Sequence, residues 1–190
     1  MKRIVLASLA VLGCTTVGAA PVTYVLDPNH TYPSFAADHM GGVSIWRGKF
    51  TESSGKVVLD KDAKAGTIDV TVNAASVDFG NAKLDEKAKS DIFEAAKFPT
   101  ATYSGKFTQW NANGPTEAQG TFTLHGVSKP LTLKIDSFKC VQNPMSKKEV
   151  CGAAATATFN RSDYGINYGD TYGFQMGVKL DIQVEGSPQG

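Results

Sequence analysis

Through most of this chain, apolar and polar residues alternate with period two, as half-buried β-strands require. The most informative run covers residues 30–39, where Thr31, Pro33, Phe35, Ala37 and His39 share one face. Tyr32, Ser34, Ala36 and Asp38 share the other. Asp27-Pro28-Asn29 predicts a turn before this run, Met40-Gly41-Gly42 ends it, and a new strand begins at Ser44. Val57 and Leu59 mark the next strand, and Ile68, Val70 and Val72 form one side of a strand over residues 67–77. Further strands are predicted over residues 101–109, 117–125 and 131–140, the last two joined by a turn between Gly126 and Pro130. A short strand of small residues follows at 153–159, and the Asn-, Asp-, Tyr- and Gly-rich residues 160–173 read as a loop. Residues 174–184 close the pattern with Met176, Val178, Leu180, Ile182 and Val184 on one face. Pro33 lacks an amide donor, so its strand must have an edge, a bulge or an unpaired position there.

One segment breaks the two-residue period. Over residues 81–97, Leu84, Ala88, Ile92 and Ala95 recur at helical spacing. Asp85 and Glu86 stand near its start, where the helix dipole favours carboxylates. Ser90 could cap a second short helix, and Phe98-Pro99 ends the run. About eight antiparallel strands with one helical insert predict an all-β closed barrel, with a β-sandwich as the other arrangement the alternation allows. The insert lies outside the strand count, which makes it the expected lid.

The chain of 190 residues suits one domain able to bury roughly 70% of its unfolded surface. Its net charge of +1 lacks the basic excess of a nucleic-acid-binding surface. Residues 1–20 read as a secretory signal: basic Met1-Lys2-Arg3, an apolar run from Ile4 to Leu12, then small residues at Gly18-Ala19-Ala20. Residues 21–190 are then the exported domain, expected in the periplasm, with cleavage after Ala19 or Ala20. Val11-Leu12-Gly13-Cys14 is a looser match to a lipoprotein box, so an anchor at Cys14 is the weaker reading. No later stretch is apolar for long enough to span a bilayer as a helix. Cys140 and Cys151 remain, and an even pair in an exported protein predicts a disulfide.

Candidate chemistry is sparse. His30, His39 and His125 fall in separate strands or turns without a compact ligand spacing, so no metal or haem is expected. No Gly-x-Ser-x-Gly elbow, activated cysteine or glycine-rich phosphate loop appears, and no catalytic residue is assigned. The aromatic residues carry more. Phe35, Trp46, Phe50, Phe79, Phe93, Phe98, Phe107, Phe122 and Phe174 are spread over nearly every element. They either fill a solid barrel or line an apolar cavity suited to an acyl-like tail. With Ala37 and His39 from the first face, and Leu84 and Ile92 from the insert, all of these except Phe107 form the expected ligand-binding set. An anionic head group would turn to Arg47, Lys83, Lys87 or Arg161, each of which is otherwise an ordinary solvated charge.

Four stretches together resemble the YceI-like family of exported polyisoprenoid-binding proteins: Tyr24-Val-Leu-Asp-Pro-Asn-His30, Phe35-Ala-Ala-Asp-His39 running to Gly48-Lys-Phe50, Leu124-His-Gly-Val-Ser-Lys129, and Asn160-Arg-Ser-Asp-Tyr-Gly165. The resemblance implies a lipocalin-like barrel whose lumen holds an isoprenoid, a quinone-like molecule or another long-chain amphiphile, often as a homodimer, without catalytic residues. It favours the cavity over the solid core. Where the family commonly shows an Arg-Asp and then a His-Leu, this chain has Leu84-Asp85-Glu86-Lys87-Ala88, so head-group contacts from those positions do not carry over. The expectation is a periplasmic, non-catalytic carrier. A barrel enzyme acting on such lipids and a stress-response interaction protein are the alternatives.

Overall fold

The computed structural model describes residues 20–190; the expected signal segment lies outside them apart from Ala20, as does Cys14. The strands are β1 (Val22–Leu26), β2 (Tyr32–His39), β3 (Ser44–Phe50), β4 (Ser53–Asp60), β5 (Ala65–Asn73), β6 (Val77–Asp78), β7 (Thr100–Trp110), β8 (Pro115–Leu124), β9 (Val127–Gln142), β10 (Glu149–Asn160) and β11 (Gly177–Pro188). All pairings are antiparallel, and β1 meets β11 to close the sheet. β1 and β2 both lie along β11, β1 pairs β4 while β2 pairs β3, and β4 pairs β5 while β3 pairs β6. Each of these three couples, β1–β2, β3–β4 and β5–β6, is one long strand bent in the middle. The result is a closed eight-stranded antiparallel barrel, which settles the choice against a sandwich.

The three bends lie side by side and are stitched by hydroxyls. Ser53 Oγ donates to the Thr31 carbonyl at 3.2 Å, and Ser76 Oγ accepts from the Glu52 amide at 3.1 Å and donates to the Asn73 carbonyl at 2.7 Å. The Thr31 hydroxyl donates to the Glu185 carbonyl and accepts from the Glu185 amide. Thr31, Ser53 and Ser76 are, with Arg161, the buried polar side chains of the described residues. Backbone groups freed by the bends must find partners away from water, and these hydroxyls supply them. Pro33 sits just beyond the bend: it pairs Ile182 of β11, while the ladder to β3 begins only at Ser34. The expected unpaired position is there.

One barrel end is sealed. Tyr24, Leu59 and Cys151 pack with Val57, Phe107, Trp110 and Phe138. The Cys140–Cys151 disulfide joins directly opposed residues of β9 and β10, with Cα atoms 4.0 Å apart, as the cysteine pair predicts. Cys140, Glu149 and Cys151 are the described cluster with metal-ligand chemistry, and the disulfide takes both sulfurs.

The other end is covered by the insert between β6 and β7 and by the loop between β10 and β11. The insert departs from the expected single helix over residues 81–97. Its α-helix, α1, is only Ala82–Lys87, capped by the Asn81 side chain accepting from the Lys83 and Leu84 amides. A π-turn follows over Ala88–Ile92, and Ser90 caps nothing: its hydroxyl donates back to the Glu86 carbonyl at 2.9 Å. Glu94 then takes φ +44, which ends helical progress before Pro99 is reached. The β8–β9 turn also differs from expectation. It is the tight pair His125-Gly126, both at positive φ, so Pro130 lies inside β9 opposite Thr121, where the ladder to β10 has already stopped. The last strand runs later than expected because its final residues pair with β1.

Candidate functional site: a capped apolar lumen

Between the sealed floor and the covered mouth lies a cavity of about 180 Å³ with walls that are apolar almost throughout. The period of two accounts for it: Phe35 and Ala37 of β2, Trp46 and Phe50 of β3, Val70 and Val72 of β5, Leu131 and Leu133 of β9, and Leu180 and Ile182 of β11 all point inward. Many are only half-buried although they sit in mid-strand, because their inner surfaces face space rather than protein. Phe35 is the hub on one side, with ring centroids 5.6 Å from Phe50, 5.5 Å from Phe79 and 6.1 Å from Phe93. Phe122, Phe159 and Tyr164 form a second aromatic group opposite. Gly48 makes the first group possible, since a Cβ there would meet Phe35 Cζ at 2.8 Å and Phe79 Cε1 at 2.9 Å.

The cap contributes Ile92 and Phe93, which pack with Tyr164 and Ile166 of the opposite loop. His125 Nε2 lies 2.7 Å from Glu94 Oε2 and ties the insert to the β8–β9 turn. Phe98 packs against His125 with the rings tilted by 50°, 4.0 Å between centroids. At the floor, the Tyr103 hydroxyl reaches the Ala118 and Leu131 carbonyls at 3.2 and 3.1 Å. Burial, with Glu117 nearby, pushes its phenol up to about 12.

Of the expected ligand-binding set, Phe35, Ala37, Trp46, Phe50, Phe79, Ile92, Phe93, Phe122 and Phe174 line this one cavity. His39, Leu84 and Phe98 do not. His39 stacks on Trp46 at 4.1 Å and edges onto Phe174, forming the outer side of the mouth. Leu84 is half-buried in α1 but is not on the lumen wall, and Phe98 is held by His125. Sequence reasoning missed Phe159, Tyr103, Ile166 and Tyr168. Phe159 was legible from its alternation with the small residues of β10, whereas Ile166 and Tyr168 reach the lumen through a loop that carries no periodic signal.

The four candidate cations separate cleanly. Arg47 and Lys83 are exposed, and Arg47 lies on the outer face of β3. Lys87 pairs with Asp91 and sits over the Tyr168 ring on the outside of the cap. Arg161 alone of the four lines the cavity, and it is 8% exposed. Asp38, also on the wall, accepts from the Gln175 and Gly41 amides, both at 2.9 Å, and these hold its carboxyl below the usual range.

This geometry defines a class: an eight-stranded antiparallel barrel, sealed at one end and capped at the other, with an apolar interior. The chain belongs to the YceI-like domain family, whose pattern it matches over residues 24–186. It is 34% identical to a UPF0312 protein of Shewanella denitrificans over the full length of both chains, and 28% identical to one of Vibrio vulnificus over 97% of each. Among solved structures it resembles Burkholderia cenocepacia BcnA (TM-score 0.65, 20% identity, 81% of this chain and 95% of that one). It also resembles a polyisoprenoid binding domain from Saccharophagus degradans (TM-score 0.61, 14% identity, 88% and 99%). At these identities the two structures establish a shared fold.

Proposed function

We propose that the protein is an exported, periplasmic and non-catalytic carrier that holds a long-chain amphiphile of isoprenoid or quinone type in its lumen. The observation that carries this reading is the continuous apolar wall from Phe35 to Ile182, closed below and capped above. Each methylene-sized group buried there contributes about 0.8 kcal/mol, so an extended apolar chain binds tightly with few polar contacts. The Saccharophagus degradans domain of the same fold is described as polyisoprenoid binding, which supports the same ligand class. A carrier role is further supported by two of the wall's titratable groups, Asp38 and Tyr103, which are held by backbone amides and backbone carbonyls respectively. Export rests on the signal-like first twenty residues.

The volume of about 180 Å³ is below the ~300–1,000 Å³ of pockets that enclose drug-sized ligands. Loading a long chain therefore requires the Phe35–Phe50–Phe79–Phe93 cluster and the cap to part. The test is native mass spectrometry of protein expressed with its own leader in a Gram-negative host, followed by organic extraction. A co-purifying amphiphile in stoichiometric amount is expected. Protein that arrives empty and takes up neither prenols nor quinones afterwards would refute the reading.

A further inference from the structure

Arg161 is placed where a cation is costly. It follows Phe159 at the mouth end of β10 and opens a short turn, Arg161–Tyr164. Its backbone is fixed on both sides, its amide donating to the Met176 carbonyl at 2.9 Å and its carbonyl accepting from the Ile166 amide at 3.1 Å. The residue is only 8% exposed, and it forms part of the lumen wall. Nη1 donates to the Ile166 carbonyl at 3.2 Å. A guanidinium carries five N–H donors, and this carbonyl is the sole acceptor it meets among the described residues. None of the ion pairs among those residues includes it. Asp170 and Asp38 act on it through their fields without touching it, and Asp38 Oδ2 accepts from two backbone amides. Burial lowers the Arg161 pKa, yet guanidinium stays charged in proteins.

A buried cation whose donors are mostly unpaired and whose counter-charges do not touch it is unfavourable unless something brings acceptors to it. A latch for the β10–β11 loop would need the one bond to Ile166 and no more. The side chain lines a lumen whose walls are mostly methyl groups and aromatic rings, with Asp38 the one carboxyl among the lining residues.

We propose that Arg161 is the polar anchor of the lumen, a site for the oxyanion head group, phosphate or carboxylate, of the amphiphile whose chain fills the apolar cavity. The inference rests on the carrier reading and adds the head-group class to it. The guanidinium plane presents a fork suited to two oxygens at once. Its position just under the cap sets the polarity of loading, with the tail toward Tyr103 and the head toward Trp46, Tyr168 and Phe174.

The test compares the delipidated full chain with its Arg161→Gln and Arg161→Lys variants. Affinities are measured for geranylgeranyl phosphate against geranylgeraniol, and for palmitate against hexadecanol, the two pairs separating a phosphate from a carboxylate source. The wild type is expected to prefer one or both oxyanions roughly 10- to 100-fold, the range of hydrogen bonds to charged groups. Arg161→Gln should erase that preference, lowering oxyanion affinity far more than alcohol affinity. Arg161→Lys, which keeps the charge and loses the fork, should retain part of it, and it carries the test should the Gln variant fail to fold by circular dichroism. A wild type that binds alcohols and oxyanions equally overturns the anchor and leaves the carrier standing, as does a preference that survives Arg161→Gln. Binding of neither overturns both.

Discussion

Gly48 lies directly beneath the ring of Phe35, so close that a methyl group on its Cα would come 2.8 Å from Phe35 Cζ. Phe79 closes over the same spot, and the two rings carry the aromatic cluster beneath the cap. Gly48→Ala should therefore push Phe35 into the lumen. Overpacking of this kind costs about 1–3 kcal/mol, visible as a lower urea midpoint. Lipid retention should fall with it. A variant with unchanged midpoint and unchanged lipid content would show that the wall is looser than its geometry.

Ser76 is a surface-type residue doing interior work. Its hydroxyl accepts from the Glu52 amide and donates to the Asn73 carbonyl at the level where three strands bend. Ser76→Ala should cost about 1 kcal/mol. Ser54→Ala, on an exposed position of β4, should stay within about 0.5 kcal/mol of wild type. Equal effects in chemical denaturation would remove the hydroxyl's special role.

Tyr103 predicts an alkaline limit. Its folded-state pKa is raised from 10.0 to about 12, so the unfolded chain gives up this proton first. Between those two values unfolding releases a proton, and stability falls as pH rises; below pH 10 the contribution is constant. Tyr103→Phe should remove this part of the alkaline slope, at a cost of about 1 kcal/mol at neutral pH for the lost hydrogen bond. Denaturation curves collected across that pH range decide it, and an identical slope in the variant would contradict the assignment.

Glu94 holds the cap to the β8–β9 turn through His125. Glu94→Ala should loosen the cap by about 1 kcal/mol, which corresponds to about fivefold faster ligand release. Stopped-flow displacement of a fluorescent prenyl or acyl probe measures it. If release is unchanged, ligand leaves by another route.

The barrel was legible from the sequence because its rule is local. The inward face of Thr31, Pro33, Phe35 and Ala37 follows from alternation alone, and the structure places all four on the lumen wall. The unpaired side of Pro33 followed from its missing amide. The family was carried by four short stretches, and the match spans residues 24–186. The insert is less regular than its pattern implies: the spacing of Leu84, Ala88, Ile92 and Ala95 is helical, but the π-turn and Glu94 redirect the chain so that Ile92 and Phe93 face inward. Arg161 could be named only as one cation of four. Its burial comes from a loop folding back over it, a non-local event that leaves no periodic trace. Ser76 was invisible for the same reason, since a buried serine and a solvated one have the same neighbours in sequence.

The stitched bends at Thr31, Ser53 and Ser76 divide the molecule along its length. Below them are the disulfide and the dense floor, above them are the insert and the long loop, and the lumen runs across their level, from Ile92 and Phe174 at the cap to Leu26, Ile68 and Tyr103. Both halves of the bent strands therefore contribute to one wall, Leu26 from β1 beside Phe35 from β2. Loosening any one of the three hydroxyl stitches should thus be felt at the floor and in the lumen together.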